Sequence, residues 1–388
     1  MNDLQRGPEI LPGTWEHEWM TRVVRAVEQR AGRLSNWNGR LYEEPLPVAG
    51  RVDSDGSITV NRAAVLEPAR VADTTDQRLA PDDGYAAGRA AVHGLQLARL
   101  SLSTPGDESL PGATKLGSLE DMALEQALAD RWAHHHSDEA MLEDIGIGWD
   151  QGVSTNVSAS SPAYTTATDT MMYTLSGQSG VPVSELRATI EKTGRAQRFT
   201  AIADQMIDNK LGDLVPDEHR AEVREALSGP VRRELRGLTM TELSPHAHPG
   251  TKLSWGHESA EWAMTELSAN LEDIESHYRG WDEQHPGTEP PRMPAELHDT
   301  FGDRQEEVRQ VWADRGWPAQ EPVQGYAVNA KLPEQSYPSA QQQEIKDLQR
   351  FLWSHTGSTA QSRPATAAET SDNVHKLDTR RTPGRGVE

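Results

Sequence analysis

Fourteen histidines, sixty carboxylates and no cysteine fix the chemistry open to this 388-residue chain. Disulfides, thiolate metal sites and cysteine nucleophiles are excluded, so a transition metal would have to be held by imidazole and carboxylate. One group is His134-His135-His136. Consecutive helical residues point about 100° apart and cannot converge on one ion, so this run reads as a solvated helix end where His suits the dipole. A second group pairs His257 with Glu261 at i,i+4 spacing, within reach of His246 or His248 from the preceding loop. A His/carboxylate metal site of that kind needs no cysteine. Trp262, Leu267 and Leu271 supply the apolar face of the same helix, which leaves His257 and Glu261 on ordinary surface. No Gly-x-Ser-x-Gly setting for a nucleophile and no glycine-rich phosphate loop occurs.

The third group is a helix pair, Ala90-Ala91-Val92-His93-Gly94-Leu95-Gln96-Leu97 and Ala123-Leu124-Glu125-Gln126-Ala127-Leu128-Ala129-Asp130. With an edge-type strand at 57–60 before it, residues 40–140, about a quarter of the chain, resemble the gluzincin group of zinc metallopeptidases. In that group one helix carries His-Glu-x-x-His, because residues four apart share a face and aim two imidazoles at one zinc. The intervening Glu activates the bound water. A second helix, reading like Ala-Leu-Glu-Glu-Gly-Leu-Ala-Asp, supplies the third ligand. The resemblance implies a zincin-like fold with His93 and Gln126 at the metal positions. The chemistry does not carry over with it: Gly94 stands at the general base, Leu97 at the second ligand and the neutral amide of Gln126 at the third. A helical wheel puts Gln126 in the stripe of Leu119, Met122, Ala129 and Ala133, with Glu125 projecting away beside Asp121 and Trp132. A buried Gln needs a partner, and His93 is the expected one.

Other elements must position this pair. Residues 14–34 read as an amphipathic helix led by Trp15, Trp19, Val23, Val24 and Val27, expected as a packing arm over 1–39. Residues 46–60 read as two short strands around the turn Asp53-Ser54-Asp55-Gly56, the only convincing strands. Helices follow at 83–102 and 118–136, the second capped by Ser118 with Asp121 three residues on. A Gly/Ser/Thr/Asn-rich loop covers 146–161. Helices are expected at 164–175, 184–193, 196–211, 217–237 and 256–278, with a polar loop at 243–254. Pro286, Pro290, Pro291 and Pro294 then interrupt the chain, with short helices near 294–315 and 340–353. The Ser/Thr/Ala/Pro-rich residues 355–388 are expected to be disordered.

The fold class is therefore α+β, predominantly helical: a zincin-like lobe over 40–145 with a small edge sheet, then a helical lobe over 146–280. A Pro-interrupted segment over 281–354 and the tail complete the domain plan. A net charge of −22 repels phosphate backbones and anionic bilayers, so neither nucleic acid nor membrane is expected as a partner. No apolar run is long enough to cross a bilayer and no leader peptide is visible, which points to a soluble, cytoplasmic protein. With only three Phe, the core leans on Leu, Ala, Val and eleven Trp. Trp255, Trp262, Trp281, Trp312, Trp317 and Trp353 either line a groove or pack the C-terminal half.

The reading that combines these features is a catalytically inactive zincin-like protein without a cofactor, acting as a binding or scaffold module for an unidentified protein partner in a bacterial or phage-related setting. One alternative is a zinc-dependent hydrolase with unorthodox ligands, either His93, His136 and Glu125 or His246, His248, His257 and Glu261. The other is a helical structural or adaptor protein unrelated to peptidases.

Overall fold

The computed structural model describes residues 6–301 apart from 46–47, 76, 245–246, 295–296 and 298–300. The sequence-based expectations for 302–388, including Trp312, Trp317 and Trp353, lie outside these residues. The elements in chain order are β1 (Glu9–Ile10), α1 (Trp15–Ala31), β2 (Leu41–Glu43), β3 (Gly50–Val52), β4 (Ile58–Val60), α2 (Glu67–Thr74), α3 (Pro81–Ser101), α4 (Leu119–His136) and α5 (Glu139–Asp144). They continue with α6 (Pro162–Ser179), α7 (Val183–Lys192), α8 (Arg198–Met206), α9 (Arg220–Gly237), α10 (Thr239–Leu243) and α11 (Pro249–Gln284). The described residues are predominantly helical with one small mixed sheet, in the order β1-β2-β4-β3.

The expected hairpin is present: β3 pairs antiparallel with β4, Arg51 opposite Thr59. Gly56 closes its turn at φ +83°, and a Cβ there would overlap Asn36 O, so both conformation and space require glycine. β4 is not an edge strand, because β2 runs parallel beside it and β1 extends the sheet beyond β2. Strands of two and three residues carry no alternating pattern, which is why β1 and β2 are not visible in the sequence.

The lobe built on this sheet has one core, in which Trp19, Val23 and Val27 of α1 join Leu41, Ile58 and Val60 of the sheet and Leu95 and Leu97 of α3. α1, expected as a packing arm, thus packs directly into that core. Thr14 caps its start, accepting from His17 N, and Gly32 ends it in the left-handed conformation. The second core lies among α6 to α11, with Phe199, Leu227, Leu267 and Ile274 at its centre. α4 belongs to both: Ala123, Leu124, Ala127 and Leu128 enter the second core, Trp132 and Ala133 the first. An element shared by two cores is buried on nearly every side.

α11 starts at Pro249, seven residues before the position expected from periodicity, with His248 Nδ1 accepting from Gly250 N at 3.1 Å as its cap. Proline at the first turn favours that start, while Gly250 and Gly256 hide it from a pattern search. α9 carries Pro230 in its interior. The proline has no N–H to give the carbonyl of Ala226, and Asn270 Nδ2 of α11 supplies the missing donor at 2.9 Å.

Candidate functional site

α3 is rich in Ala and Gly, and from Ala90 to Ser101 every residue is buried. The three positions that matter for zinc chemistry meet different neighbours. A Cβ on Gly94 would lie 2.8 Å from Cη2 of Trp19, so the position where the resemblance implies a general base is closed by α1. Leu97 lies under the hairpin, its Cδ1 only 2.9 Å from where a Cβ on Gly50 would be. His93 is 3% exposed, and its Nδ1 has no partner among the described residues. Burial, then the charges of Arg89 and His134, hold its imidazole down to about 3. One turn on, Gln96 is fully buried with neither amide atom bonded.

On α4, Gln126 is buried as the helical wheel requires, yet its Oε1 accepts from Ser161 Oγ at 3.1 Å rather than bonding His93. The reason is the segment 152–161, which runs along the two helices. Ser154 N donates to Gly84 O at 3.2 Å, and side chains at Gly84 and Gly88 would overlap the carbonyls of Gly152 and Ser154. Further along, His134 Nε2 lies 3.2 Å from Val157 O, and Ser160 N donates to Asp130 Oδ1 at 3.0 Å. Thr165 Oγ1 at 2.9 Å completes the shell of Asp130, whose carboxyl burial pushes up against these donors. Val153 and Val157 tuck into the first core. The expected inter-lobe loop is therefore a strap seated on α3 and α4. Sequence reasoning missed Asp130, Ser160 and the paired glycines. Gly84 and Gly88, four apart on one helix face, were the available signal of a close backbone approach.

Glu125 does not project outward as expected. It is buried against Arg198 Nη1 and Ser103 Oγ, with Arg195 Nε at 3.7 Å. Burial alone would raise its carboxyl, but Arg198 and Arg195 hold it down to about 2. Arg195 also binds Asp121 at 2.5 Å, and Arg99 of α3 reaches Glu191 of α7 at 3.1 Å, so this cluster ties the lobes together. His136 turns its Nδ1 to Trp132 O at 2.9 Å and stacks on that indole, with ring centres 4.2 Å apart. His93, His136 and Glu125 are thus committed to separate surroundings.

The group around α11 does not assemble either. His248 is a helix cap, His257 and Glu261 form a surface ion pair at 3.2 Å, and His246 lies outside the described residues. Among the described residues no three His, Asp or Glu side chains are placed to hold one metal ion. The zinc that the resemblance implies does not fit here: the one matched imidazole is sealed beside a cation, and the nearest carboxylate on α4 to the matched position is neutralised by two arginines. Compared with protein-family models, characterised proteins and solved structures, the chain matches none. No helix among the described residues is long and apolar enough to cross a membrane.

Proposed function

We propose that this chain is a non-catalytic binding or scaffold module whose α3/α4 pair is zincin-like in arrangement and closed to solvent and substrate. The observation that carries the reading is the strap: residues 152–161 occupy the surface of α3 and α4, and hydrogen bond to Gln126, Asp130 and His134. Two features support the zincin-like part. The hairpin, His93 helix and Gln126 helix follow in the order the resemblance requires, and α3 and α4 lie side by side. Three features support the non-catalytic part: no base fits at Gly94, Leu97 serves as core, and Glu125 is spent on Arg198. A metallohydrolase needs an open coordination position and a base within reach of bound water.

Untagged protein supplied with excess zinc and incubated with a mixed peptide substrate tests the reading. Cleavage at the buffer rate is expected. Zinc-dependent cleavage abolished by His93→Ala would replace the proposal with the hydrolase alternative.

A further inference from the structure

α9 places a charge where its packing calls for an apolar side chain. Glu234 lies seven residues after Leu227 and three after Val231, on the helix stripe that faces the second core, and it is buried. Glu266 of α11, also buried, draws on the same cation, Arg233. Both Nη atoms of Arg233 fork onto the Glu266 carboxylate, Nη1 at 3.2 Å from Oε1. Glu234 receives only the Nε, at 3.4 Å from its Oε1. Two buried carboxylates thus share one guanidinium, and the fork serves Glu266. The other charges on elements packed against α9 are matched elsewhere. Arg236 forks onto Glu120 of α4 at 3.0 and 2.7 Å, Arg224 binds Asp204 of α8 at 2.7 Å, and Arg232 binds Glu225. Lys252 of α11 binds Glu242 of α10 at 3.3 Å, and His219, just before α9, is taken by the Tyr278 hydroxyl at 3.3 Å.

A carboxylate that a dry site cannot pair takes up a proton instead. We propose that Glu234 is a proton switch in the α9/α11 seam: the folded chain holds a proton on this carboxyl at mildly acidic pH, and its release toward alkaline pH loosens the two helices. The neutral acid needs no counter-ion, whereas the carboxylate competes with Glu266 for Arg233, a residue that ties α9 to α11. Burial, opposed by Arg233 and reinforced by Glu266, pushes the Glu234 carboxyl up to about 7. The native state therefore holds the proton more tightly than the unfolded chain does. The resulting stabilisation is complete below the ordinary value of 4.5 and is lost as pH rises through about 7. The switch does not depend on how the α3/α4 pair is read.

Glu234→Gln fixes the neutral state. Urea unfolding of the full chain and of this variant, from about pH 5 to about pH 8.5, tests the switch. Relative to the variant, the folding equilibrium constant of the wild type is expected to fall with rising pH, by at most about tenfold per unit below 7, and to level off above it. Amide hydrogen exchange in α9 and α11 is expected to match in the two proteins at the acid end and to be several-fold faster in the wild type at the alkaline end. A stability difference that does not change with pH overturns the proposal, as does exchange that stays equal at both ends. If Glu234→Gln does not fold, NMR titration of the glutamate carboxyl carbons in the wild type and in Glu266→Gln decides. A carboxyl that titrates near 7, and moves to lower pH once Glu266 no longer competes for Arg233, supports the switch. No carboxyl titrating there, or none that moves, overturns it.

Discussion

Single residues decide whether the α3/α4 pair is a closed or an open surface. Gly88 is required because the carbonyl of Ser154 lies where its Cβ would be, whereas nothing approaches Gly177 in α6 within 4 Å. Gly88→Ala is expected to lower stability by about 2 kcal/mol as the strap is pushed away. Gly177→Ala is expected to raise it by about 0.5–1 kcal/mol through helix propensity. Urea melts of both variants check the pair, and equal shifts would mean that the strap is not seated on α3. His93 adds a pH dependence whose sign is fixed by burial. Native His93 stays neutral down to about 3 while the unfolded chain takes a proton near the ordinary value of 6.5. Its contribution is therefore intact above 6.5 and lost as pH falls toward 3, at no more than about 1.4 kcal/mol per pH unit. The stability of wild type relative to His93→Leu should decline over that window, and parallel curves would show that the imidazole is solvated.

At the level of elements, the Pro230 helix shows how two helices share a defect. Asn270→Ala should cost about 1 kcal/mol by leaving the partly buried Ala226 carbonyl without its side-chain donor. In a Pro230→Ala background, where the substituted residue supplies a backbone N–H of its own, the same change should cost much less. A double-mutant cycle in chemical denaturation measures this coupling, and simple additivity would contradict it. The elements also show what could be read from the sequence alone. The hairpin was legible because Asp53-Ser54-Asp55-Gly56 signals a turn between apolar stretches; α3 and α4 were legible from their apolar content, and α4 also from its Ser118 cap. The burial of Gln126 followed from the helical wheel. Its partner did not, since Ser161 comes from a segment whose small polar residues look like solvent-exposed loop until Gly84 and Gly88 are seen beneath it. The wheel also misplaced Glu125, because one apolar stripe was assumed for a helix that serves two cores.

Over the whole molecule, two cores share α4 and are tied by arginine–carboxylate pairs, of which Glu125 with Arg198 is fully buried. Breaking such a pair from one side leaves an unpaired buried charge, a penalty of several kcal/mol. Under the proposed reading the same pairing withholds Glu125, the carboxylate next to Gln126 on α4, from any metal, so one ion pair both joins the lobes and leaves the α3/α4 pair without that charged ligand. The most direct test of that claim is the zinc content of untagged protein, refolded in the presence of zinc and then desalted, measured by mass spectrometry beside His93→Ala. A sealed, non-catalytic pair predicts far less than one zinc per chain and no difference between the two proteins. One zinc per chain in the wild type, lost in His93→Ala, would contradict it.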